Sequence, residues 1–199
     1  MSPSQFFVYL CVSLSLLGCA SMKVETTGVA PKQPLCQPNG ESLSVLVLWG
    51  PQWRPDQKEV PLREAAARRG IEQFFAESAC YSQAAFLRFV GDRTASTLTD
   101  EDVLRLATTY HPTPSRSVLI KVRELGPIIK LLGSPALVEG GTEVVLEIRV
   151  LNVATDESLA NFRIHWQNGG AFVIKGVTTL DQDMRSALQA ALQPLPVSQ

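Results

Sequence analysis

Apolar and polar positions along this chain repeat with different periods in different stretches, and the periods predict its elements. Ser44 to Trp49 (SVLVLW) is an unbroken apolar run stopped by Gly50-Pro51, the pattern of a strand covered on both faces. Ala84 to Val90 reads as a second strand that ends at Gly91-Asp92. Strict alternation begins at Ser117 to Leu125, where Val118, Ile120 and Val122 oppose Lys121 and Arg123. It returns in Glu143 to Asn152, with Val144, Leu146, Ile148 and Val150 against Glu147 and Arg149, and in Ala160 to Gln167, with Phe162, Ile164 and Trp166 against Arg163 and His165. Three adjacent strands with one buried and one polar face follow from that alternation. Ala154 to Glu157 is compact enough to join the last two as an antiparallel hairpin.

Helical spacing marks three further segments. Pro61 suits a first helical turn, and Ala67, Ile71, Phe74 and Phe75 form a stripe that predicts a helix from Pro61 to Ser78. Its polar side carries Arg63, Arg68, Arg69 and Glu72, read as a solvated face or a small basic patch. Thr99 precedes Asp100, Glu101 and Asp102, acids that suit the positive end of a helix, while Val103, Leu106, Ala107 and Tyr110 face inward until His111-Pro112. Thr179 with Gln182 gives a capping-box pattern, followed by the stripe Leu180, Met184, Ala187, Leu188, Ala191 and Leu192, with Pro194 as the stop. The expected fold is a single α+β domain over residues 43–195. Its mixed sheet has the order strand, helix, strand, helix, three strands, helix, with the helices mainly on one face.

Two stretches fit neither period. Residues 19–42 hold Pro31, Pro34 and Pro38 among Thr, Gly, Lys and Gln, the composition of a flexible, partly extended tether. Gly126 to Thr142 (GPIIKLLGSPALVEGGT) is too apolar for an ordinary loop, with Ile128, Ile129, Leu131, Leu132 and Leu137 interrupted by Pro127, Gly133 and Pro135. It is either a loop folded back over the core or a hairpin extension whose exposed apolar surface meets a partner or lipid.

The chain start adds an address. Phe6 to Gly18 carries no charge and is too short for a bilayer span of roughly 20 residues, but it suits the apolar region of a secretory signal. Met1 to Gln5 has no Lys or Arg, so the positive end is the terminal amine. Leu16-Leu17-Gly18-Cys19 resembles the lipobox of bacterial lipoproteins. That resemblance implies a signal peptide over residues 1–18, a diacylglyceryl group on the Cys19 thiol, cleavage after Gly18, and acylation of the new amine with palmitate-type chains. Ala20 and Ser21, with no Asp, resemble the sorting residues of lipoproteins sent to the periplasmic side of the outer membrane.

With 18 basic and 19 acidic residues and a pI near 6.1, the chain lacks the basic excess that nucleic acid binding normally shows. Of four cysteines, Cys11 lies in the signal and Cys19 is the acylation site, which leaves Cys36 and Cys80. In an oxidising compartment these form a disulfide or stay as two thiols, and the disulfide is the favoured reading. Two cysteines with His111 and His165 at unrelated spacing make no metal site, and no cofactor is implied. Ser115 and Ser134 lie outside any Gly-x-Ser-x-Gly elbow, and Asp100 with Asp102 suits helix capping better than acid-base work, so the expectation is not an enzyme.

The segment TEVVLEIRVLNVATDESLANFRIHW, with its terminal helix, is similar to periplasmic lipoproteins of three kinds. These are relatives of the curli-secretion lipoprotein, the activators of penicillin-binding proteins, and the amino-terminal domain of the Tol system. The resemblance implies action by protein contact, as an accessory or assembly factor that binds another cell-envelope protein. Contact candidates are Trp53, in the Gly50 to Asp56 loop, which either meets a partner or lids the core beside Trp49; the apolar Ile128, Ile129, Leu131, Leu132 and Leu137; and the cations Lys121, Arg123, Arg149 and Arg163. The rival is a lipid- or small-ligand-binding auxiliary of an envelope transport system, and self-assembly into a ring is a third reading.

Overall fold

In the computed structural model, which describes residues 21–31, 35, 42–89, 97–131, 138–171 and 173–193, these patterns resolve into nine elements. They are β1 (Ser21–Val29), β2 (Leu43–Pro51), α1 (Val60–Glu77), β3 (Tyr81–Arg88), α2 (Asp100–Ala107), β4 (Arg116–Leu131), β5 (Val138–Asn152), β6 (Glu157–Ala171) and α3 (Leu180–Leu192). One mixed sheet holds all six strands in the order β1-β6-β5-β4-β2-β3. β2 runs parallel to both β3 and β4, and the remaining pairs are antiparallel. The fold is therefore the single α+β domain that the apolar periods predict.

Burial explains each period. β2 is apolar at successive positions because α1 and α3 cover Val45, Val47 and Trp49 while α2 covers Leu46 and Leu48 from the other side. On β4, β5 and β6 only the face under α1 and α3 is fully apolar, so Val118, Ile120, Val122, Val144, Leu146, Ile148, Phe162, Ile164 and Trp166 alternate with polar neighbours. Each such large side chain contributes about 1.5–3 kcal/mol on burial. α1 and α3 approach closely at Gly70, where a Cβ atom would sit 2.5 Å from the Asp181 carbonyl oxygen and 2.6 Å from Met184 Cβ. α2 starts as expected: the Thr99 hydroxyl accepts from the Asp102 backbone N–H, and the Asp102 carboxylate accepts from the Thr99 N–H in return.

Three features differ from the sequence reading. Ser21–Val29, expected within the tether, is the sheet's edge strand, paired antiparallel with β6 from Ser21↔Gly169 to Val29↔Asn161. Its residues all remain exposed, so backbone hydrogen bonding to the otherwise open edge of β6 holds it rather than burial. Farther along that stretch, Ala30 and Leu35 pack against the core, and the Leu35 N–H donates to the Leu192 carbonyl at 3.4 Å. Second, Thr179 makes no capping bond to the backbone of α3; its hydroxyl instead donates to the Asp183 carboxylate at 3.5 Å. Third, Arg63 is neither solvated nor part of a basic patch. It is 8% exposed, while Arg68 pairs with Glu72 and Arg69 with Asp181.

The described parts of Gly126 to Thr142, residues 126–131 and 138–142, are paired strands rather than a loop over the core. β4 and β5 continue as a paired hairpin arm, Gly126↔Glu143 through Leu131↔Val138, beyond the end of β2 at Pro51↔Val122. There β4 is an edge strand, which is where Pro127 is tolerated. A bulge between Val122 and Glu124 keeps Leu125 on the core side.

Candidate functional site

The second face of the sheet is only partly covered. α2 packs there over Leu46, Leu48, Leu119 and Leu151. The outward residues of β4, β5, β6 and β1 farther along make a polar surface ordered in cross-strand rows. Lys121 sits opposite Glu147, which sits opposite Arg163, itself opposite Thr27. Sheet alternation puts these side chains on one side because their neighbours are buried on the other.

Most of the charges on this surface are fixed by partners. Glu147 accepts from Lys121 at 2.7 Å and from Arg123 at 2.8 Å. Burial works to raise the Glu147 carboxyl, but the hydrogen bonds and charges of Lys121 and Arg123 outweigh it and hold the group below the usual carboxylate range. Arg149 donates to the Asp100 carboxylate at 2.5 Å and to the Leu98 carbonyl at 2.6 Å, tying the start of α2 to β5. His165 lies 3.0 Å from Glu143 and 3.0 Å from Gln167. Arg163 is exposed, and among the described residues it makes no ion pair.

At the edge where the arm begins, a second cluster joins α1 to β4. The Arg63 guanidinium donates to the Lys58 carbonyl at 2.8 Å and to the Leu125 carbonyl, taking the place of the strand that β4 lacks beyond Val122. Gly126 makes the room, since a Cβ there would lie 1.6 Å from Arg63 Nη1. Glu124 pairs with Arg54 at 2.8 Å; burial raises its carboxyl, Arg54 and Arg63 oppose that, and Glu143 and Asp56 reinforce it. Trp53 is half-buried against the core cluster that contains Trp49, which is the lid arrangement, and its indole Nε1 is enclosed without a partner.

A third polar group lies under the N-terminal turn of α3. Asp183 is 4% exposed and its carboxyl is raised by burial, against which Thr142, Lys175, Thr179 and Asn168 work. A cleft of about 390 Å³ opens beside it, lined by Asn168, Ile174, Lys175, Thr178, Thr179 and Asp183 among others. Because the folded-state pKa lies above the unfolded one, the stability from this group is full below the unfolded value of about 4 and is lost as pH rises through the folded value. Asp183→Asn, which is neutral throughout, therefore raises the melting midpoint by a few degrees at pH 7. That gain vanishes in acid, and thermal melts across pH check both statements.

The remaining candidates are distributed unevenly. Ile129 is 65% exposed on the arm and Ile128 beside it is partly buried. Leu131 pairs by its backbone with Val138, while Leu132, Leu137, Cys19 and Cys36 lie outside the described residues. Cys80 is disulfide-bonded and buried, with Gln193 Nε2 at 3.3 Å from its sulfur. The structure brings Lys121, Arg123 and Arg163 onto one face around Glu147, sets Arg149 on the same face against α2, and separates all four from Trp53 and the arm. Sequence reading missed Arg63, Glu124 and Asp183. For Asp183 a signal exists, because it falls on the apolar stripe three residues after Leu180 and four before Ala187. Among the described residues no group of three His, Cys, Asp or Glu side chains converges as metal ligands, and no helix is long and apolar enough to cross a membrane.

No family model and no curated protein matches the chain. Among solved structures it is similar to the PelC dodecamer from Paraburkholderia phytofirmans, at TM-score 0.45 and 10% identity, over 88% of this chain and 100% of that one. It is also similar to a Xanthomonas campestris protein of the DUF330 family, at TM-score 0.41 and 12% identity, over 82% and 88% of the two chains. Lipoprotein GNA1162 from Neisseria meningitidis follows at TM-score 0.37 and 13% identity, over 73% and 94%. Likeness at these scores is one of overall chain course and supports no functional assignment.

Proposed function

We propose that this protein is a lipid-anchored component of the bacterial cell envelope that works without catalysis, by holding another envelope protein against its open sheet face. Acyl chains on Cys19 keep it at the periplasmic side of the outer membrane. The observation that carries the contact surface is the uncovered part of the sheet beyond α2, where Lys121, Arg123 and Glu147 are already locked together and Arg163 stands exposed beside them. Ordering long side chains before a partner arrives lowers the entropy lost on binding. Arg is also favoured at protein interfaces because its planar fork recognises carboxylates.

The rival reading, a lipid- or small-ligand carrier, calls for a pocket lined by Ile128 and its neighbours. Ile129 stands exposed instead, and the cleft beside Asp183 is walled mostly by polar side chains. A photo-crosslinking residue at Arg163 in intact cells should capture a specific envelope protein, and the same probe at Glu72 on the far side of α1 should not. Equal yields at both positions, or none at Arg163, would overturn the assignment of this face.

A further inference from the structure

Strand register places four separate chain segments at one end of the sheet. Ser21 opens β1 opposite Gly169 near the close of β6; Gly169 and Ala171 lie opposite Gly141 and Glu139 at the start of β5; and these lie opposite Ile128 and Lys130 near the end of β4. The arm is therefore on the same side as the residue that follows Cys19 and Ala20. Three of the large apolar side chains left exposed in the fold sit at this end: Met22 (62%), Ile129 (65%) and Ile174 (82%).

Register also sets their direction. Met22 pairs with Asn168 and Ile129 with Gly140, rows that alternate onto the core side of the sheet. That core ends at the row Pro127–Thr142–Asn168–Met22, where Asp183 of α3 meets Thr142 and Asn168 and Met22 on the edge strand is left exposed. Past that row β4 continues with Ile129 exposed and, among the described residues, no helix over it. Lys23, Lys130 and Lys175 flank the apolar side chains, against two acids, Glu139 paired with Lys23 at 3.7 Å and Asp183 paired with Lys175 at 3.9 Å.

We infer that this end of the sheet rests in the headgroup region of the membrane leaflet it is anchored to, with Met22, Ile129 and Ile174 among the lipid headgroups and upper acyl chains. The inference rests on the lipidation of Cys19. From Cys19 to Ser21 the chain spans at most roughly 7 Å, so acyl chains on Cys19 bring the β1 start to the bilayer with no slack to hold it away. An apolar cluster rimmed by lysines suits that boundary, where buried apolar area and attraction to anionic headgroups add together. The sheet then stands upright, its β5–β6 turn at Thr155 roughly 40 Å from the bilayer at about 3.3 Å per residue of β5. The open polar face runs up its side.

The test uses the acylated full-length mature protein, with its mass measured, on phosphatidylethanolamine–phosphatidylglycerol vesicles whose acyl chains carry bromine, which quenches nearby tryptophan. I129W places an indole at the arm, and T155W places one at the far turn; both positions are exposed, so neither disturbs the core. The extra emission of I129W falls roughly twofold relative to unbrominated vesicles, as burial at the acyl boundary requires, and that of T155W does not change. Acylated protein that binds vesicles with equal quenching at both positions overturns this inference and leaves the anchor standing. A mass lacking acyl groups overturns the anchor and the inference with it. Quenching of T155W alone overturns the orientation.

Discussion

Arg63→Met lowers stability by about 3 kcal/mol, read as a shift of the urea midpoint with an unchanged slope. The guanidinium is the hydrogen-bond donor to two carbonyls, those of Lys58 and Leu125, and the second belongs to a strand whose neighbour has already ended. A charge-assisted bond is worth roughly 1.5–3 kcal/mol, and a carbonyl left dry costs about 1–3 kcal/mol. Methionine fills a similar volume and donates nothing, so the loss reports the bonds rather than a cavity. Arg63→Lys recovers less than half, because an ammonium at the end of a flexible stem does not span both carbonyls as the planar fork does. Gly126→Ala attacks the same contact from the other side, since its methyl group needs the volume of Nη1. The double variant loses little more than the worse single one, whereas fully additive losses would mean that the two residues act independently.

Cys80→Ser has an effect of similar size. Cys80 is disulfide-bonded, and we propose Cys36 as its partner: Leu35 packs on the core and its N–H donates to the Leu192 carbonyl, while Gln193, the residue after α3, reaches the Cys80 sulfur. A bridge closing the roughly 44 residues between them removes about 4 kcal/mol of chain entropy from the unfolded state. Cys80→Ser, Cys36→Ser and the double variant should therefore lose equal stability, and reductant should cost the native protein the same amount. A Cys36→Ser variant as stable as the parent would assign the bridge elsewhere, and peptide mapping of the oxidised protein would identify the true partner.

How much of this was legible in the residues depends on what each residue buries. Strands β2, β4, β5 and β6 and the helices α1, α2 and α3 announce themselves because their periods record which side faces the core, as with Val144, Leu146 and Ile148 on β5. β1 stayed hidden because nothing in it is buried; Met22 and Val24 alternate with Lys23 and Glu25, but the strand is held by its backbone, which leaves no compositional trace. The arm was masked by Pro127 and by Gly140 and Gly141, residues that usually break a strand yet fit an edge. Arg63 looked like surface because a helix wheel reports only its own helix. That β2 stops short of Leu125, leaving a carbonyl to be met, is a property of the sheet. The cations on β4, β5 and β6 were placed on one face by alternation alone, but their shared partner Glu147 required the register.

The pairing of β1 with β6 also sets an order of events. Ser21 finds its partner Gly169 across 148 positions of sequence, so in a chain delivered from its N-terminus the first strand waits for nearly the whole domain before it has an edge to join. Contacts of such long separation form late, because the closure entropy comes before the reward. Until then, β1 itself has no strand to pair with. On the proposal that Cys19 is acylated, its modification and the cleavage before it would precede the pairing of β1, and the sheet is completed by the strand that was delivered first.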